Sequence, residues 1–213
     1  MSRIIAGTAK GATIRTPRRF TTRPTTDRVR EAIFNSLANW AGSVDADPTS
    51  QLTGISFLDL YAGSGAMGLE AASRNSSPVT CVERDATTAS VIRSNAVTLR
   101  LDVQVYATQV AQYLNAQVIP FDIIFLDPPY DVTNVDITTC LTTLVRSGWL
   151  SDYGIIIVER SSRVTPFSWP SELERQWHKT YGETAVYYGD RGADPMLGEN
   201  ENQIRKEVPD VKL

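Results

Sequence analysis

The sequence has little that could staple a fold or hold a metal. Its 213 residues include two cysteines, Cys81 and Cys140, and one histidine, His178. The cysteines are far apart in apolar surroundings, and there is no Cys-x-x-Cys pair. A disulfide framework and a zinc site are therefore not expected, and the thiols fit a reducing, cytoplasmic setting. No run of 18 apolar residues occurs, so no transmembrane helix is expected. The opening residues, MSRIIAGTAKG, lack a long apolar stretch followed by small residues, so no secretory signal is expected either. There is no internal repeat and no low-complexity tract. The composition, 42% hydrophobic and 21% charged, is that of a globular chain long enough for one or two domains.

Charge is unevenly placed. The formal net charge is −3, but residues 1–40 carry eight basic side chains against Asp27 and Glu31, a balance of +6. The rest of the chain carries −9. A basic arm on an acidic body points to an anionic partner held at one end. Arg15, Arg18, Arg19, Arg23 and Arg28 are the candidate phosphate contacts, with Arg28 or Thr26 able to turn toward a cofactor instead.

Residues 1–25 are short β-prone pieces broken by Gly7, Gly11, Pro17 and Pro24, and read as a hairpin-like arm. From Thr26, apolar residues Val29, Ala32, Ile33, Leu37 and Trp40 recur at helical spacing. Residues 42–54 read as a loop. The chain then alternates, with strands expected over 55–61, 78–83, 103–106, 122–126 and 154–159. Helices are expected over 66–74, 86–101, 110–116 and 135–146. Short apolar strands alternating with helices give a parallel α/β sheet covered on both faces. Residues 176–181 and 184–188 flank Gly182-Glu183 and read as an antiparallel hairpin at the sheet edge. Division into a basic arm and helix (1–40), a catalytic domain (41–189) and a loose acidic tail (190–213) is expected.

The sharpest local pattern is FLDLYAGSGAMGLEA. Gly63, Gly65 and Gly68 form G-x-G-x-x-G directly after a strand and at the start of a helix, where glycine lets backbone approach a ligand. Glu83 lies 20 residues after Gly63 and ends the next strand, where a carboxylate can accept both ribose hydroxyls. Asp59 stands just before the turn. An acid there would repel a pyrophosphate but suits the cationic end of S-adenosylmethionine, which carries an ammonium, a sulfonium and a ribose and no phosphate. Asp59, Ala62, Gly63, Gly65, Glu83, Arg84, Gln109 and Asp127 are the candidate cofactor contacts.

A second pattern, FDIIFLDPPYDV, ends an apolar strand in Asp127-Pro128-Pro129-Tyr130. Proline has no N–H, so the pair removes donors and leaves carbonyl acceptors. An ionised Asp127 is also acceptor-only. An acceptor cluster followed by an aromatic plate suits an exocyclic amine. Asp127 and the Pro128 carbonyl would hold its two N–H bonds while Tyr130 stacks on the base, and catalysis would rest on orientation and electrostatics.

An Asp/Asn-Pro-Pro-Tyr/Phe motif after a Gly-rich turn resembles the amino-methyltransferases of class I fold. The runs RIIAGTAKGATIRTP, TRPTTDRVREAIFNSL and LDLYAGSGAMGLEAASR, followed by DPPY, resemble the RsmD family. The resemblance spans residues 3 to about 189 and implies a Rossmann-like sheet. It also implies an S-adenosylmethionine-dependent enzyme that methylates a guanine N2 of 16S ribosomal RNA. The small size and short arm point to a preassembled 30S particle that supplies part of the recognition surface, and a monomer is expected. Asp59, Gly63, Gly65 and Glu83 match the cofactor positions of such enzymes, and Asp127 to Tyr130 match the catalytic motif. Where many methyltransferases have an adenine-contacting Asp, this chain offers Ala107, Thr108 and Gln109, and Gln109 is the expected substitute.

An adenine-N6 methyltransferase acting on DNA or RNA would use the same DPPY chemistry, and the residues alone do not separate guanine from adenine. Between the arm and the tail there is no room for a separate target-recognition module of the kind DNA enzymes usually carry. A nicotinamide enzyme leaves DPPY unexplained, and a non-catalytic RNA binder needs neither the acids nor the acceptor motif. His178 reads as structural or exposed, the four tryptophans as core or near-core, and Glu70 as solvent-facing or capping a neighbour.

Overall fold

A computed structural model describes residues 2–16 and 25–192. Two short strands, β1 (Ser2–Arg3) and β2 (Thr13–Ile14), pair antiparallel. Helix α1 (Asp27–Trp40) follows, capped by the Thr26 hydroxyl, which accepts from the Val29 N–H, with Asp27 at the positive end of the helix dipole. The alternating body comprises β3 (Phe57–Leu60), α2 (Ala66–Ser73), β4 (Val79–Glu83), α3 (Ala86–Leu99), β5 (Gln104–Ala107) and α4 (Val110–Tyr113). It continues with β6 (Phe121–Leu126), α5 (Asn134–Arg146), β7 (Leu150–Ser161), β8 (Arg175–Tyr181) and β9 (Thr184–Asp190).

The seven-stranded sheet runs β5-β4-β3-β6-β7-β9-β8. Strands β3 to β7 run parallel to one another, while β9 is antiparallel to both β7 and β8. This is the class I methyltransferase arrangement, a Rossmann-like sheet ending in an antiparallel hairpin. The hairpin docks through its second strand, so β8 forms the outer edge. Strand β7 is twice as long as its apolar core suggests because it is paired on both sides, out to Ser161 opposite Thr184. Helix α4 stops at Tyr113, where the next turn tightens into three-residue bonds from Asn115 to Gln112 and from Ala116 to Tyr113.

Period-two alternation sorts the sheet's residues between two cores. Leu58, Leu60, Ile124, Leu126, Ile156 and Val158 face α5 and Trp149. Phe57, Ile123, Phe125, Ile155 and Ile157 face α1, whose Val29, Ile33, Phe34 and Leu37 complete that core. Helix α1 thus shares a core with the sheet.

The arm is stitched to α2, and there the structure corrects one expectation. Glu70 is fully buried and accepts from the backbone N–H groups of Ile5 (2.7 Å) and Ala6 (3.0 Å) and from Arg74 Nε (3.0 Å). Arg30, one of the eight basic residues of 1–40, is also fully buried, with Nε 3.8 Å from Glu70. Its guanidinium donates further to Ser2 Oγ and Asp27 Oδ1. A buried helical acid is tolerated here because cations and backbone donors satisfy it. Gly7 seals the junction, since a Cβ at that position would meet the Ser73 carbonyl oxygen at 1.9 Å.

Candidate active site

The strand ends open onto one cavity of about 1680 Å³, at the carboxyl edge of the parallel strands where α/β folds bind ligands. Strand β3 leaves the sheet through Tyr61 and a turn in which Gly63 (φ 53°) and Gly65 (φ 78°) adopt left-handed backbone. A Cβ on Gly65 would come within 2.7 Å of Ile92. Gly68 has a different function: a Cβ there would strike Cys81 Sγ at 2.4 Å, so this glycine lets α2 close on β4.

Asp59 is buried with only 1% of its surface exposed. Its Oδ2 accepts from the Gly68 N–H at 3.1 Å, which ties it to the first turn of α2. Its other oxygen has no hydrogen-bond donor among the described residues. Burial drives its pKa up to about 8, the Gly68 N–H opposes the shift, and the charge of Glu83 adds to it. Glu83 is set by backbone, its Oε2 accepting from Gly63 N–H (2.9 Å) and its Oε1 from Asp85 N–H (2.8 Å). Each oxygen keeps a lone pair for a further donor.

Asp127 follows the last residue of β6, beside β7. No described residue donates a hydrogen bond to it. Burial pushes its pKa well above the usual carboxylate range, and the charges of Glu159 and Asp59 add to the shift while Arg160 opposes it. Pro128 and Pro129 also line the cavity, and Tyr130 projects 74% exposed at its rim. Ala62, Arg84 and Gln109 line it too. Arg84 is exposed, 3.8 Å from Asp131, and Gln109 stands at the start of α4 with its side chain uncommitted to the cap. Gly63, the three sheet-edge acids and DPPY therefore converge, whereas Gly65 does not line the cavity and packs toward Ile92.

A family model described as Conserved hypothetical protein 95 matches residues 2–190. The chain belongs to this family, the RsmD family. Ribosomal RNA small subunit methyltransferase D of Escherichia coli K12 is 33% identical over 178 residues, 81% of this chain and 83% of that protein. YlbH of Bacillus subtilis is 34% identical over 196 residues, 89% of this chain and 100% of that one. Among solved structures, yhhF from Escherichia coli superposes with a TM-score of 0.73 at 30% identity, covering 89% of this chain and 97% of that one.

The basic candidates are placed differently in this RsmD-family chain. Arg15 and Arg28 are exposed and do not line the cavity. The Arg15 backbone is clamped to α3 by Asn95, whose amide accepts from its N–H (3.1 Å) and donates to its carbonyl (2.9 Å). Arg18, Arg19 and Arg23 lie outside the described residues. Thr26 is committed to capping α1.

Sequence reasoning missed Glu159, near the end of β7, which is 7% exposed and lines the same cavity. It also missed Thr25, whose hydroxyl donates to Glu159 Oε2 at 2.7 Å. Burial raises the Glu159 pKa to about 7, with the Thr25 bond opposing. The signal was present: Ile155-Ile156-Ile157-Val158-Glu159 is an apolar strand closed by an acid, the same pattern that marks Asp127.

Proposed function

We propose that this chain transfers the methyl group of S-adenosylmethionine to the exocyclic N2 amine of a guanine in 16S ribosomal RNA, within the 30S particle. Family membership and the ribosomal RNA methyltransferase named among its relatives support the class of reaction. The observation that carries the reading is an Asp127-Pro128-Pro129-Tyr130 motif, its carboxylate without a donor among the described residues, that lines the same cavity as Gly63 and Glu83.

The residues present fit the cofactor. The free oxygen of Asp59 and the crowding of uncompensated acids suit its ammonium and sulfonium, and Glu83, fixed by two backbone donors, suits its ribose diol. Gln109, which lines the same cavity, is the candidate acceptor for the adenine amine. When bound, S-adenosylmethionine supplies an electrophilic methyl carbon on a sulfonium centre. Asp127 and the Pro128 carbonyl accept the two N–H bonds of the target amine and aim its lone pair. Tyr130 stacks on the base, and Asp127 receives the proton that the amine sheds on gaining its methyl. Removing water around Asp127 strengthens these contacts.

The arm is read as the part that draws in the RNA. Arg15, Arg18, Arg19, Arg23 and Arg28 offset an acidic body that would otherwise repel phosphate. Incubation with labelled S-adenosylmethionine and, separately, ribosomal RNA, 30S particles, transfer RNA and DNA tests the whole reading. N2-methylguanosine in small-subunit RNA is expected; methyladenosine in any of these substrates would refute the guanine assignment.

A further inference from the structure

The sheet brings a second acid to the reacting position. Leu126 of β6 pairs in register with Val158 of β7. The next residues, Asp127 and Glu159, therefore stand side by side on strands about 4.8 Å apart. Alternation along β7 puts Ile157, and hence Glu159, on the face toward α1, where Thr25 holds Oε2. Arg160 lines the same cavity and its charge acts on Asp127, but its Nη2 donates to the Val132 carbonyl (3.2 Å). Glu159 forms no salt bridge among the described residues, and its Oε1 has no protein donor there. A nearly buried carboxylate with one oxygen free, opening into a ligand cavity, is costly unless a ligand supplies the missing donor.

The guanine edge has that donor. Its N1–H lies next to the N2 amine, so two neighbouring carboxylates can take both. Adenine presents a bare N1 lone pair beside its N6 amine, which a carboxylate repels. We infer that Glu159 selects guanine, its free carboxylate oxygen accepting the N1–H of the base whose N2 amine is held by Asp127. The inference rests on the guanine reading above. The same bond draws N1–H electron density toward the ring and makes the conjugated N2 amine a better nucleophile. The role is thus one of specificity and activation, while Asp127 aligns the amine.

The test uses full-length chain and small-subunit particles reconstituted with RNA bearing, at the position the wild type methylates, either guanine or 2-aminopurine. The analogue keeps the N2 amine but has a bare N1. Wild type is expected to prefer guanine by about 100-fold or more in kcat/KM. Glu159→Gln, whose amide can donate to a bare N1, should lower the guanine rate by about 10–100-fold and bring the preference below about 10-fold. Affinity for S-adenosylmethionine should stay within about twofold, which also reports that the variant is folded. Glu159→Asp, which keeps the charge but retracts it, should lose rate while still preferring guanine. A wild-type preference in Glu159→Gln, or equal losses on both bases, would overturn the inference while leaving the guanine reading intact. If wild type instead methylates adenine, the reading of function itself fails.

Discussion

Glu70, buried at the arm junction, and the three buried acids at the strand ends are treated in opposite ways. At the arm junction Glu70 receives two backbone N–H groups and the Arg74 guanidinium, with Arg30 beside it. At the strand ends Asp59 has a single donor, Glu159 a single donor and Asp127 none among the described residues. The first acid is saturated by its own chain and acts as a rivet between arm and body. The other three are desolvated with little compensation, and burial raises the pKa of each. Burial alone does not mark a functional acid; burial with unmet hydrogen-bonding capacity does.

The most damaging break of this contrast is on the saturated side. Glu70→Ala leaves the Ile5 and Ala6 N–H groups and Arg74 Nε without their acceptor and removes the counter-charge beside Arg30, and should cost about 3–5 kcal/mol of stability by denaturant unfolding. S-adenosylmethionine affinity of the molecules that remain folded should be little changed. Asp127→Ala should do the reverse. Turnover is expected to fall about 10²–10³-fold or more, since an alignment contact used in the transition state is gone, with no loss in melting temperature. Asp59→Asn keeps the shape and an acceptor for Gly68. It should weaken S-adenosylmethionine binding by about 1–3 kcal/mol in calorimetry and leave stability equal or higher.

How much of this could be read from the sequence follows the same divide. Glu83 and Asp127 are legible because each closes an apolar strand, and Asp59 because it stands one residue from the end of another, and in an α/β alternation strand ends converge. The sheet itself is legible from that alternation. Glu70 is not, because the donors that satisfy it come from residues 64 and 65 positions earlier, and no local pattern announces a contact so distant. Arg30 looked like one more arm cation for the same reason. Glu159 was hidden for a milder one: only strand order puts β7 next to β6, and only then does its acid fall beside Asp127.

A smaller effect follows from pH. The folded-state pKa values of about 8 for Asp59 and about 7 for Glu159 lie above the ordinary carboxylate values near 4. Between about pH 4 and 8 the folded chain therefore binds more protons than the unfolded one, and stability falls as pH rises through that window. Asp127, raised in the same sense, adds to the slope, while Arg160 opposes part of it. The melting temperature of the ligand-free protein should drop by several degrees from pH 5.5 to 8, at about 2–4 °C per kcal/mol for a chain of this size. The drop should shrink in Asp59→Asn and persist in variants of exposed acids such as Asp47.

The most direct test is a carbon-13 NMR titration of the side-chain carboxyls between pH 4 and 9, without and with S-adenosylmethionine. The account predicts that, ligand-free, Asp59 titrates near 8 and Glu159 near 7, and that the Asp59 midpoint moves down when the cationic ligand is added. Ordinary midpoints near 4 for both acids in the free protein, or an Asp59 midpoint indifferent to the ligand, would contradict it.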